Sequence, residues 1–423
     1  MAAATTSAAV HMVAPAVVEP QQASAAILTQ VPQQTRSFLD LQGALPALGG
    51  HRGMGANVIR NGNLAPAWRE NTIRSFQAAA ASGATFVEFD VQVTSDGVPV
   101  VWHDNLVEYG DPTRPTQCAV VDLTAAEFQA LGSLSASGKC QQLAVVRRFK
   151  RAAPSGAGGL DGAAVLQAVA AAVDSSAGAA ADVVPAAARQ RWCCEADDGF
   201  PTLEQLFSSL PPQLAFNIEV KMATPDELAV TPEAEIQRMV GPILEVVGRC
   251  GGDRQVVFSS FDPDVCRALR AAQQQHSVMF LSTGGRDWHA DARRMSIAAA
   301  IEEACAHQLS GVVVDSGALH TCPEAAELAR SRGLKLLTYG LENDSLEWVL
   351  CQQRMGVTGV IVDDLQGLMA VLGGAGREGA AAAAGFMGQV AAAAAVSAAQ
   401  QQAPAGMPTM PSASTTQFVS AVV

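Results

Sequence analysis

Short runs of β-branched and aromatic residues alternate along most of this chain with stretches of helical period. Apolar runs of strand length fall at 47–50, 85–91, 98–102, 214–221, 255–259, 278–281, 311–315, 334–339 and 359–362. Helix-length amphipathic segments lie between most of them, at 70–82, 232–249, 264–274, 293–307 and 344–353. Regular strand-then-helix alternation predicts parallel strands joined by crossover helices, and this many units in one domain predicts closure into a (β/α)8 TIM barrel. Nine strand candidates are one more than such a barrel uses. Asp96-Gly97, set between alternating apolar residues, is a strong hairpin signal. The run 98–102 is therefore expected as a returning strand outside the eight. A two-residue turn at that point would set Ser95 against Val98 and Asp90 opposite His103.

The pattern fails in three places. Residues 1–44 are rich in Ala, Gln and Ser, 133–191 carry runs such as Gly-Ala-Gly-Gly, and 373–423 are dominated by alanine. Such tracts bury too little apolar surface to offset the entropy of ordering them. The expected organisation is a disordered extension at 1–44, a barrel over 45–372 with a flexible insertion at 133–191, and a disordered tail at 373–423.

Composition narrows the function. A net charge of -13 leaves no broad basic surface for nucleic acid or an anionic membrane, so a small anionic substrate must be met by a few local cations. No run of apolar residues is long enough to span a bilayer. The first 35 residues contain neither Lys nor Arg, so the positive segment of a secretory signal and the arginines of a transit peptide are missing. A cytoplasmic location is the expectation. Nine cysteines lie scattered without metal-ligand spacing, as reduced thiols would.

The candidate chemistry sits at the predicted strand ends. In Val87-Glu88-Phe89-Asp90-Val91 the two acids share one face of a strand, and two neighbouring anions need a cation. Taken alone, a solvated strand end explains them equally well. Asn217-Ile218-Glu219-Val220-Lys221 repeats the spacing with one sign changed and offers a further carboxylate beside a cation for phosphate. Hard carboxylate oxygens without cysteine or histidine favour Mg²⁺ or Ca²⁺ over zinc. His51-Arg52 and His103-Asp104 also close strands, and two imidazoles can hold opposite protonation states near neutral pH. Catalytic groups of a (β/α)8 barrel gather at the C-terminal ends of its strands, and each of these falls at a predicted strand end or on the returning hairpin strand.

The ordered set His51-Arg52-Gly53, Glu70-Asn71-Thr72, Glu88-x-Asp90, His103-Asp104 and Glu219-x-Lys221 resembles the glycerophosphodiester phosphodiesterases. Phe258-Ser-Ser-Phe-Asp-Pro-Asp264, 337–340 and 359–363 extend the likeness to the end of the barrel, and the pattern is most similar to eukaryotic glycerophosphocholine phosphodiesterases. The resemblance implies a divalent cation on Glu88, Asp90 and Glu219, and His51 and His103 as the acid/base pair. It implies Arg52 and Lys221 on the phosphate, Glu70 at the edge of the site, and hydrolysis of glycerophosphocholine to glycerol 3-phosphate and choline. Tyr339 stands where relatives usually carry Trp, which keeps an aromatic wall but a weaker cation-binding face. A sphingomyelinase D-like phospholipase is the nearest alternative and needs an apolar membrane-facing rim. A catalytically dead phosphodiester-binding protein is the other, and the intact histidines and acids speak against it.

Overall fold

The structure, a computed structural model, describes residues 37–40, 45–57, 59–60, 63–64, 68–111, 114–133, 144–145, 190–191 and 198–374. Eight parallel strands close on themselves: β1 (Ala47–His51), β2 (Phe86–Val93), β6 (Ala215–Val220), β7 (Val256–Ser260), β8 (Ser277–Ser282), β9 (Gly311–Asp315), β10 (Lys335–Tyr339) and β11 (Gly359–Val362). The ring closes because β1 pairs with both β11 and β2. Helices between the strands include α1 (Ile73–Ala81), α3 (Leu203–Ser209), α4 (Glu233–Cys250), α5 (Pro263–Ala272), α6 (Ile297–Ala306), α7 (Ser316–Thr321), α8 (Glu324–Ser331) and α9 (Leu346–Met355). The expected (β/α)8 barrel is therefore what forms.

Period-two alternation along the strands builds two apolar layers. One face of each strand packs outward on the helices, as Val87, Phe89, Phe216, Ile218, Phe258 and Val312 do. The other face fills the barrel, where Ala47, Phe86, Ala215, Val257, Met279, Val313, Leu337 and Ile361 meet. Gly49 in β1 makes room for the largest of these, since a Cβ there would lie 2.2 Å from the Phe86 ring.

The ninth strand, β3 (Pro99–Val101), returns antiparallel against β2, outside the eight. Its register differs by one residue from the expected one. Val91 faces Val101, and the Trp102 amide donates to the Asp90 carbonyl at 3.0 Å, so Asp90 stands opposite Trp102 rather than His103. The cause is a three-residue loop. Thr94 pairs with Val98 through backbone and hydroxyl alike, and Gly97 supplies the left-handed conformation, φ +78°, at the last loop position. Further elements were not expected, among them the hairpin of β4 (Leu106–Asp111) and β5 (Arg114–Ala119), and helix α2 (Ala125–Ser133), which follows it. Under them Trp102, Phe128 and Phe200 form an aromatic cluster.

The segment expected as one helix at 293–307 is two pieces, a 3₁₀ turn at Ala292–Arg294 and α6, because Ser296 caps α6 by accepting from the Ala299 amide. Residues 37–40 depart from the disordered extension expected over 1–44. Phe38 and Leu39 are buried in the barrel's inner layer, and Phe38 stacks on Phe86 with ring centres 4.5 Å apart. Lys335, at the start of β10, pairs with Asp40 at 2.9 Å. This short helical turn plugs the N-terminal end of the barrel, where the inner layer would otherwise meet water. Of the insertion expected over 133–191, the described part beyond α2 is an antiparallel pair, Ala144–Val145 with Gln190–Arg191. The tail expected over 373–423 lies outside the described residues except for the end of α10 (Leu365–Gly374).

Candidate active site

The inward faces that carry apolar residues at the bottom of the barrel turn polar towards its C-terminal mouth. Following Phe86 at two-residue steps, β2 presents Glu88, Asp90 and Gln92, and following Ala215, β6 presents Asn217 and Glu219. Register then sets these groups side by side: His51 pairs with Glu88 across β1 and β2, and Asp90 pairs with Glu219 across β2 and β6.

Oxygens of Glu88, Asp90 and Glu219 lie within 4.8 Å of one another, and all three residues are buried. Burial, with the neighbouring charge of Asp90, pushes the Glu88 carboxyl up to about 8. Burial likewise raises Glu219, with Asp90 adding to the rise and Lys221 opposing it. Three buried carboxylates held this close resist ionisation unless a cation joins them, and a purely oxygen donor set suits a hard divalent ion. The residues present therefore fit a divalent metal. Two protein cations already lean on the cluster. Lys221 Nζ lies 3.1 Å from Glu219 Oε1 and 3.8 Å from Asp90 Oδ1, and Arg52 Nε lies 3.4 Å from Asp90 Oδ2.

Arg52 belongs to a tight turn after β1. Its own φ is +48°, Gly53 follows at +97°, and a Cβ on Gly53 would lie 2.3 Å from Ser75 Oγ. The turn aims the Arg52 amide at Glu88 Oε2, 3.2 Å away, and Arg52 Nη1 at Glu70 Oε1, 2.8 Å away. Glu70 is in turn fixed by Asn57, whose Oδ1 accepts from the Glu70 amide at 2.7 Å. Asn71, also left-handed at φ +56°, donates from its amide to the Arg52 carbonyl and from Nδ2 to Asp90 Oδ2 at 3.0 Å. Two strained non-glycine residues thus brace one another beside the acidic cluster.

His51 Nδ1 lies 2.8 Å from Asp363 Oδ1, and its Nε2 lies 3.9 Å from Glu88 Oε2. The ring's pKa is raised. Burial disfavours the imidazolium, but the charge and hydrogen bond of Asp363, with Glu88, more than offset it. Asp363 follows directly on β11 and also accepts from the Ala56 amide at 2.7 Å. His103 sits two residues beyond β3, with Nδ1 2.7 Å from Asp104 Oδ1.

On the far side of Lys221 the mouth is aromatic. Phe261 stands 5.7 Å from Lys221 Nζ, and Tyr339 meets Phe261 edge to face at 5.9 Å. A small cavity beside Phe261 is lined by Asp226, Asp287, Trp288 and Arg294. A wider groove between α1 and α3, lined by Gln77, Ala84 and Leu214, lies at the opposite end of the barrel and presents no titratable side chain.

The structure thus joins His51, Arg52, Glu70, Glu88, Asp90, Glu219 and Lys221 in one network, with Tyr339 beyond Lys221 and Phe261, while His103 is paired with Asp104 on the turn that the Trp102 amide ties to Asp90. Sequence reasoning missed Asp363, Asn71 and Phe261 as parts of the site. An acid ending the last strand, and an aromatic ending β7 at the inward parity, were the signals available for two of them.

The Glycerophosphodiester phosphodiesterase GDPD1, chloroplastic, of Arabidopsis thaliana is 31% identical over 319 residues, 75% of this chain and 78% of that protein. The Glycerophosphocholine phosphodiesterase GDE1 of Eremothecium gossypii is 33% identical over 353 residues, which cover 78% of this chain and 26% of that one. A solved phosphodiesterase of Oleispira antarctica in complex with the product sn-glycerol-3-phosphate superposes with a TM-score of 0.48 at 16% identity, over 78% of this chain and 97% of that one. Residues 51–366, from His51 at the end of the first barrel strand into the helix after the last, match the glycerophosphoryl diester phosphodiesterase family, and the chain belongs to that family.

Proposed function

We propose that this phosphodiesterase hydrolyses glycerophosphocholine to glycerol 3-phosphate and choline, with a divalent cation, Mg²⁺ or Ca²⁺, held by Glu88, Asp90 and Glu219. The observation that carries the reading is the convergence of those three buried carboxylates, within 4.8 Å, on a mouth that also holds His51 and Lys221. When bound, the ion supplies positive charge to the phosphoryl oxygens and lowers the cost of negative charge developing there. Arg52 and Lys221 are the local cations that the acidic surface of the chain requires for an anionic substrate. Both serve as counter-charges to the acidic cluster, and with a cation on Glu88, Asp90 and Glu219 their charge would be available to the phosphate.

His51 and His103 act as base and acid, one taking the proton of the attacking hydroxyl and the other supplying a proton to the leaving oxygen. An ionised carboxylate only accepts hydrogen bonds, so Asp363 and Asp104 each keep the proton of their histidine on Nδ1 and direct Nε2 to the reaction. Glu70 holds Arg52 in place at the edge of the site. Choline is supported by the aromatic side chains beyond Lys221, Tyr339, Phe261 and Trp288, and by Asp226 and Asp287, which line the same small cavity together with Arg294. The name of the Eremothecium gossypii relative points to the same substrate.

The test is direct assay of the purified protein on glycerophosphocholine, glycerophosphoethanolamine and glycerophosphoinositol, with products identified and metal present or withheld. Glycerol 3-phosphate and choline, formed with metal and in preference to the other alcohols, is the expected result. Release of phosphocholine instead, or no turnover of any glycerophosphodiester, would overturn the reading.

A further inference from the structure

Beyond the metal-binding acids, the inward face of β2 continues to one more buried polar residue. Gln92, 5% exposed, stands two residues past Asp90 and four past Glu88. Its Nε2 donates to the Trp102 carbonyl at 3.0 Å and to the Asp104 carbonyl at 2.8 Å. These two carbonyls flank His103 on either side. Both protons of one amide are thus spent on the turn that carries the histidine, and the Trp102 amide closes the same turn onto the Asp90 carbonyl at 3.0 Å.

We infer that Gln92 is a positioning residue for His103, fixing the 102–104 turn over the metal-binding carboxylates so that the imidazole is held at reacting distance. The inference rests on the reading of His103 as a proton-transfer group. The physical grounds are the reach and rigidity of the arrangement. The β2–β3 ladder ends at Val91 and Val101, and beyond it the Trp102 amide on the Asp90 carbonyl and the Trp102 ring against Phe128 and Phe200 hold the near side of the turn. The buried Gln92 amide adds two further ties, to the carbonyls on either side of His103, from the same strand face that presents Glu88 and Asp90. Two of the metal ligands and the residue that ties down the histidine's turn are therefore built on one strand at two-residue steps, which suits acid/base geometry held to a fraction of an ångström.

A double-mutant cycle tests this with kcat on glycerophosphocholine for wild type, Gln92→Leu, His103→Ala and the double variant, with Mg²⁺ affinity measured by calorimetry for each. Gln92→Leu should lower kcat about tenfold to a hundredfold, the cost of displacing a reacting group by roughly 1 Å. In the His103→Ala background the same substitution should change kcat by less than about twofold, because the residue it positions is already gone. Mg²⁺ affinity should stay within about twofold of wild type, showing that β2 is folded. An equal loss in both backgrounds, loss of Mg²⁺ binding in Gln92→Leu, or wild-type kcat in Gln92→Leu would each overturn the inference. Wild-type turnover by His103→Ala alone would instead overturn the proton-transfer reading itself.

Discussion

His51 Nδ1 and Asp363 Oδ1, 312 residues apart in sequence, lie 2.8 Å from one another and link the first strand of the barrel to the last. Closure of the ring is what brings them together, since β11 pairs with β1 from Ala47 to Gly50. Asp363 determines which imidazole nitrogen carries the proton and how readily the ring accepts a second one. Asp363→Asn keeps the shape but removes the charge, so it should lower the pKa of His51 and cut kcat by about 10²-fold, with Mg²⁺ affinity nearly unchanged. The pH–rate profile of the variant, beside that of wild type, checks this. An unaltered profile would remove Asp363 from the account.

Glu88 makes the metal-free protein sensitive to pH. Its carboxyl is raised from the ordinary 4.5 to about 8 by burial and by Asp90. A raised acid binds its proton more tightly in the folded state than in the unfolded one, so its stabilising effect is complete below the unfolded value and is lost as pH climbs through the folded one. The Tm of the metal-free protein should therefore fall as pH rises from about 5 to about 8. Saturating Mg²⁺ should reduce the fall, and Glu88→Gln should flatten it. Thermal melts across that range, with and without metal, are the measurement. A Tm that rises steadily with pH in metal-free wild type would contradict it.

Much of this site was legible in the sequence because strand periodicity alone settles which residues share a face. Glu88 with Asp90, and Glu219 with Lys221, needed no long-range information. What local pattern could not supply was anything that depends on closure or on loop length. Asp363 meets His51 only after the ring closes, and Asn71 reaches Asp90 only because Asn71 adopts a left-handed backbone. The hairpin shows the limit most plainly. Asp96-Gly97 announced the turn, but whether two or three residues form the loop hung on how Thr94 pairs with Val98, and that single residue moved Asp90 from His103 to Trp102. Phe38 was hidden for another reason: it is one aromatic at the edge of an alanine- and glutamine-rich tract, and only the open bottom of a barrel gives it a partner.

That plug is expected to carry measurable stability. Phe38 is buried against Phe86 and within the inner layer, so Phe38→Ala should destabilise the barrel by about 3–5 kcal/mol, the usual cost of removing a buried phenylalanine ring. Urea unfolding followed by tryptophan fluorescence reports the change, with no effect expected on kcat in the folded range. A midpoint equal to that of wild type would mean that the turn at 37–40 does not close the barrel in solution.

If Glu88, Asp90 and Glu219 hold a divalent ion that hydrolysis requires, activity must follow the ion. Choline release from glycerophosphocholine is measured before exhaustive EDTA treatment, after it, and after Mg²⁺ or Ca²⁺ is returned, for wild type and for Glu219→Gln. Activity should vanish on chelation and return with the ion in wild type. Glu219→Gln should need far more metal, because one of three anionic ligands has become neutral. Full turnover after chelation, or a Glu219→Gln variant that responds to metal as wild type does, would contradict the account.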